Sequence, residues 1–113
     1  MKEQLEAIEN YQILIARFPK HSKLPEGYLA IAQLYLELSR NQKHDPDLLA
    51  LAQINLRKFR HDFPADGRIK VAEESLEAMR EVYAEGLYET GRFYERKKKP
   101  SSALVYYRAV MRD

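Results

Sequence analysis

The sequence predicts an all-α chain: five helices forming antiparallel hairpins that stack as repeats into a right-handed superhelix, with one long helix over about residues 68–98. Three observations carry this. A small residue followed one helical turn later by a large apolar one occurs three times, as Ala7-x-x-x-Tyr11, Ala52-x-x-x-Leu56 and Ala103-x-x-x-Tyr107. In the first two copies a Phe-Pro pair follows, Phe18-Pro19 and Phe63-Pro64, with the proline twelve residues after the alanine. Proline there stops a helix. Pro19, Pro25, Pro46, Pro64 and Pro100 divide the chain into blocks of helical periodicity, and no block alternates with period two for long, so no sheet is expected.

The first block, 2–18, carries Leu5, Ile8, Tyr11, Ile15 and Phe18, an i, i+3, i+4, i+7 stripe. A loop from Pro19 to Pro25 follows. The second block, 26–40, carries Tyr28, Ile31, Ala32, Leu34, Tyr35 and Leu38. Asp45 before Pro46 fits an N-cap with proline at the first helical position. The third block, 46–63, holds Leu48, Leu49, Leu51, Ala52, Leu56 and Phe59 and is apolar on more than one side, as for a helix held between two neighbours. Pro64-Ala65-Asp66-Gly67 breaks it. From Arg68 to Lys99 there is no proline, and Val71, Leu76, Met79, Val82, Tyr83, Leu87, Thr90, Gly91 and Tyr94 keep near-helical spacing. One helix of about 30 residues, on the order of 45 Å, is expected, with a break near Gly86 as the alternative. The last block, 100–113, runs through Ala103, Val105, Tyr106, Tyr107 and Val110.

Composition excludes several function classes. Charged residues make up 32% of the 113, yet the net charge is only +2, and both signs stand on most segments. That is a solvated helical surface and not the one-signed stripe of a nucleic-acid binder. Arg96-Lys97-Lys98-Lys99 is the exception. It precedes Pro100, at a helix C-terminus where cations complement the macrodipole, with a phosphate or lipid-headgroup contact as the second reading. There is no cysteine, which removes disulfides, thiolate catalysis and cysteine-ligated metals. No apolar run approaches the ~18 residues of a membrane span, and no secretory signal is present, so the chain itself is expected to be soluble.

No chemistry-bearing constellation emerges. His21, His44 and His61 stand in no H-x-x-x-H or H-E-x-x-H arrangement, so no metal is expected. His44-Asp45 and His61-Asp62 are adjacent pairs, which are expected to point apart on a helix. Glu73, Glu74, Glu77, Glu81 and Glu85, with Lys70 and Arg80 nearby, read as a solvated face. No serine has a Gly-x-Ser-x-Gly context, and no glycine-rich phosphate loop occurs. The expectation is a protein without catalytic residues or cofactor.

The spacing also resembles the tetratricopeptide repeat. Leu87-x-x-Thr90-Gly91-x-x-Tyr94 fits its first helix, and Ala103 follows Tyr94 by the regular nine residues, with Tyr107 in the aromatic place. Tyr28-x-x-Ile31-Ala32-x-x-Tyr35 is the other first-helix half. Its partner Ala52 comes seventeen residues after Tyr35, so this repeat carries an extended turn. The implied frame is the second helix of one repeat at 2–18, a repeat at 26–63 and a repeat at 68–113. A helix starting at residue 2 and another ending at Asp113 lead to the expectation of a piece of a longer chain. Gly91, Ala32, Ala103 and Ala52 are the points of close helix approach, and Tyr94, Tyr107, Tyr35 and Leu56 fill the seams.

The segment Ala84-Glu-Gly-Leu-Tyr-Glu-Thr-Gly-Arg-Phe-Tyr-Glu-Arg96, the basic turn, and Ser102-Ala103-Leu-Val-Tyr-Tyr-Arg-Ala-Val-Met-Arg-Asp113 further resemble the BamD family, the tetratricopeptide lipoproteins of the bacterial outer-membrane β-barrel assembly machinery. The two Phe-Pro helix ends and the long helix extend the resemblance. The chain departs in lacking a lipid-acceptor cysteine and in holding fewer than three repeats where the family carries about five.

The resemblance implies a non-catalytic binding scaffold at the periplasmic face of the outer membrane. Its implied partners are the POTRA domains of the barrel-assembly protein BamA, other assembly lipoproteins and unfolded outer-membrane proteins. Another tetratricopeptide adaptor or chaperone, cytosolic or secretion-associated, is the alternative. The concave face would hold Glu26, Leu29, Gln33, Leu36 and Glu37 in one repeat and Glu85, Tyr88, Arg92, Glu95 and Arg96 in the next. Leu29 and Leu36 are apolar where solvent is expected, which suggests a peptide-sized groove; a neighbouring helix or the extended turn could equally cover them. Tyr88, Arg92 and Arg96 share one face, and Arg92 could instead pair with Glu85, Glu89 or Glu95. Uncovered helix faces at the two ends lead to an expectation of self-association.

Overall fold

The computed structural model describes residues 1–112. Among them every regular element is a helix: α1 (Lys2–Arg17), α2 (Leu24–Asn41), α3 (Pro46–Asp62), α4 (Arg68–Arg96) and α5 (Pro100–Arg112). Helix α2 packs against α1, α3 and α4, and α4 packs against α2, α3 and α5. Helices α1 and α5 therefore sit at opposite margins of an elongated molecule, 56 × 29 × 16 Å along its principal axes.

The helix ends follow from local chemistry. Asp45 accepts the Asp47 N–H at 3.0 Å and caps α3, with Pro46 in the first turn. Phe18 and Phe63 end α1 and α3 alike, with φ −131°, ψ 62° and φ −136°, ψ 63°, each donating its N–H four residues back at 2.9 Å. The proline that follows each excludes the helical region for the phenylalanine. Helix α2 begins at Leu24, two residues earlier than expected. Pro25 lies inside its first turn, where a missing N–H is no loss.

Helix α4 is continuous past Gly86 and stops at Arg96, two residues short of the expected end. The Lys99 N–H bonds the Tyr94 carbonyl (2.9 Å) and the Lys98 N–H bonds Glu95 (3.0 Å), while Lys98 takes φ 59°. That is a Schellman-type end with lysine where glycine is usual.

The core lies where α2, α3 and the first half of α4 meet. Tyr28, Ile31, Leu38, Phe59 and Met79 are sealed from solvent there, and Ile8 closes the side toward α1. The rings of Tyr28 and Phe59 stack at 5.1 Å, and Phe63 meets Tyr28 edge-on at 6.2 Å. The expected α1 stripe is only partly inward. Ile8 is buried and Tyr11 and Ile15 pack on the core, but Leu5 and Phe18 are 49% and 55% exposed, because no helix covers the outer side of α1. Phe18 and Phe63 thus share a backbone conformation and differ in burial.

The second half of α4 projects beyond this core and carries α5. A Cβ built on Gly91 would come within 2.6 Å of Tyr107 Cε1, so only glycine lets that ring lie against the helix. Ala103 is buried in the same seam, and Tyr94 stacks on Tyr106 at 5.5 Å. Gly91→Leu should lower stability by roughly 1–3 kcal/mol, which is about 4–8 °C in the thermal midpoint per kcal/mol, and Tyr107→Ala in the same chain should recover part of the loss. Equal melting of wild type and Gly91→Leu would contradict the contact.

One polar seam joins α2 to α3. The Tyr28 hydroxyl donates to Asp62 Oδ2 at 2.6 Å, and buried Asn55 donates to the Tyr28 carbonyl at 3.1 Å. Burial, then the Asp62 carboxylate, pushes the Tyr28 pKa up. His61, then Tyr28, bonds the Asp62 carboxylate and pulls its pKa down. A carboxyl whose folded pKa lies below its unfolded value stabilises the fold above that unfolded value, and the gain is lost as pH falls through the folded pKa. Wild type should therefore exceed Asp62→Asn in urea denaturation at neutral pH, with the gap narrowing below about pH 3.9. A gap constant from neutral to acid pH would contradict an ionised Asp62 as the acceptor.

Candidate protein-binding face

The proposed binding residues divide between α2 and α4. On α2, Gln33 and Glu37 are exposed one turn apart, whereas Leu29 and Leu36 are half-buried and pack against the core. Their apolar character is used in helix packing. Glu26 is exposed at the start of the helix.

On α4, Tyr88, Arg92 and Glu95 gather around one residue of α5. The Tyr107 ring lies 5.5 Å from that of Tyr88, and its hydroxyl donates to Glu95 Oε2 at 2.8 Å. The bond to Glu95 raises the Tyr107 pKa, and Arg92 acts in the opposite direction. The hydroxyl is therefore a neutral donor around pH 7. Arg92 and Arg96 are exposed and form no ion pair among the described residues. Beside them Phe93 is 46% exposed, with the Lys97 ammonium 5.7 Å from its ring centre. The outcome is an aromatic and cationic surface on the C-terminal half of α4, with Arg92 and Arg96 both unpaired among the described residues.

Glu85 and Glu89 do not reach Arg92. Both face Lys43 instead, at 3.9 and 3.5 Å, in the turn joining α2 and α3. That turn rests on Gly86: a Cβ there would stand 2.9 Å from the Lys43 carbonyl oxygen and 3.2 Å from Lys43 Cβ. Thr90 Oγ1 bonds the Gly86 carbonyl at 3.0 Å. The extended turn is thereby held against the middle of the long helix.

Two further features were not expected. An apolar groove of about 450 Å³ between α1 and the start of α2 is lined by Tyr11, Leu14, Phe18, Leu24 and Gly27, with His21, Lys23 and Glu26 at its rim. A Cβ built on Gly27 would meet the Tyr11 ring at 3.5 Å, an ordinary contact, so glycine at this position gave no signal of the groove. His61 and Asp62, expected to point apart, are bonded at 2.9 Å. They sit at the very end of α3, where the last side chains fold back toward one another. Asp62 is also bound by Tyr28, so the pair belongs to the α2–α3 seam.

Among the described residues no group of three His, Asp or Glu side chains could hold a metal ion, and no helix is long and apolar enough to cross a membrane. No protein-family model matches the chain, and neither curated proteins nor solved structures give a match.

The contacts at Gly86 and Lys43 differ in kind. The two ion pairs are largely exposed, which limits Lys43→Ala to a loss of about 1 kcal/mol or less. Gly86→Val sets a side chain against backbone and should lose roughly 1–3 kcal/mol. Denaturant titration that ranks Lys43→Ala as the more damaging change would show that charge, not close approach, holds the turn.

Proposed function

We propose that this chain is a non-catalytic protein-binding scaffold built from tetratricopeptide-like hairpins, resembling the BamD component of the outer-membrane β-barrel assembly machinery. The observation that carries the reading is the order of packing. Helices α2 and α4, the two first helices of the repeat frame, touch each other, while α1, α3 and α5 each reach only first helices. Stacked hairpins wound into a right-handed superhelix require that order. The close approach of Tyr107 to Gly91, at the positions the repeat assigns to small and aromatic residues, supports it further.

In this reading the working surface is the exposed side of α4 with Tyr107: Tyr88, Arg92, Glu95 and Arg96. Gln33 and Glu37 extend it along α2. Aromatic rings and an unpaired arginine are the side chains that anchor protein interfaces. Leu29 and Leu36 support the backbone beneath it. The implied partners are the POTRA domains of BamA, other assembly lipoproteins and segments of unfolded outer-membrane proteins, met at the periplasmic face of the outer membrane.

The test is titration of the soluble POTRA domains of BamA from the same organism against this chain, followed by interferometry or calorimetry. Saturable binding is expected. Arg92→Ala should weaken it by about 1–2 kcal/mol, roughly five- to thirtyfold, and leave the melting curve nearly unchanged. No binding by the folded wild type would overturn the assignment to this machinery. Unaltered binding by Arg92→Ala would remove the α4 surface from the interface.

A further inference from the structure

The two margins of the molecule carry faces that complement each other. Helix α5 touches only α4, and its outer side exposes Leu104, Val105 and Met111, at 46%, 61% and 85%, with Arg108 and Arg112 between them. Through residue 112 this helix contains no acidic side chain. Helix α1 touches only α2, and its outer side exposes Leu5 and Ile13, at 49% and 46%, with Glu6 and Glu9 between them. Each face is an apolar stripe at helical spacing. One carries only cations in its midst and the other only carboxylates, and none of these four charges has an ion-pair partner among the described residues.

The same polarity runs through the whole chain. Residues 90–113 hold seven Lys and Arg against two acids, while residues 1–89 hold twelve against fifteen. The near-zero net charge conceals a basic end on a mildly acidic body.

We infer that the chain associates with a second copy of itself, the α5 face of one molecule seating on the α1 face of the next. Leu104, Val105 and Met111 pack against Leu5 and Ile13, and Arg108 and Arg112 meet Glu6 and Glu9. The charges choose this pairing over the two symmetric ones. An α5–α5 contact sets arginine against arginine, and an α1–α1 contact sets glutamate against glutamate, whereas α5–α1 joins opposite signs. The faces are different surfaces on separate helices, so the contact is heterologous. It does not rest on the binding proposal.

The experiment is sedimentation velocity over a concentration series with charge reversal on either face. Wild type should associate, and less so at high ionic strength. Arg108→Glu/Arg112→Glu and Glu6→Arg/Glu9→Arg, each folded by circular dichroism, should weaken association by roughly tenfold or more when alone. Mixing the two variants should restore it, because every α1–α5 contact between them again joins opposite signs. Four results would overturn the inference: a monomeric wild type at the highest concentration, wild-type association insensitive to salt, undiminished association of either variant alone, or a mixture that stays monomeric. Undiminished association of just one variant would identify a symmetric contact through the face that variant leaves unaltered.

Discussion

Two absent side chains on one helix set how closely the α2–α3 turn and α5 approach α4. At Gly86 the turn after α2 lies against the helix backbone, and at Gly91 the Tyr107 ring does. Glycine in a helix interior is unfavourable by about 1 kcal/mol relative to alanine. Two of them five residues apart weaken the span from Gly86 to Gly91, and only neighbours that use the vacated space offset that loss. The neighbours differ. One is backbone, anchored by the capped start of α3 at Asp45; the other is an aromatic ring on a helix whose one helix neighbour is α4.

This gives the molecule two packing units on one spine. The first half of α4 belongs to a core in which Tyr28, Ile31, Leu38, Phe59 and Met79 are sealed. The second half leaves that core and holds α5 through Gly91, Ala103 and the paired tyrosines. The candidate residues Tyr88, Arg92, Glu95 and Arg96 lie on this projecting half. Side chains of a projecting helix stay available to a partner, and their positions are fixed only as well as the α4–α5 seam fixes them. A binding surface there depends on Tyr107 in two ways: the ring braces α5, and the hydroxyl orients Glu95 beside Arg92.

Much of this was legible in the sequence, since it depends on spacing along one helix or between adjacent ones. The five helices, the Asp45 cap, the long α4 and the Gly91–Ala103–Tyr107 seam all follow from periodicity and punctuation. What failed depended on what lies outside a helix. Phe18 and Phe63 share the Phe-Pro pair and the same backbone conformation, yet one is exposed and the other packs on Tyr28, because α3 has a neighbour where α1 has none. For Leu29 and Leu36 spacing left open a groove or cover by a neighbour, and both are half-buried against the core. The Gly86 contact was hidden because its partner, Lys43, lies in a turn far away in sequence. The His61–Asp62 bond escaped because helix-face geometry does not govern side chains at a helix end.

Native-state amide hydrogen exchange on Gly91→Ala, read by mass spectrometry, tests the two-unit spine most directly. The substitution adds one methyl group at the α4–α5 seam and raises intrinsic helix propensity. The expected result is faster exchange confined to α5 and the last turns of α4, with α2, α3 and the first half of α4 keeping wild-type protection. Unchanged exchange in α5, or a uniform loss across all five helices, would contradict it.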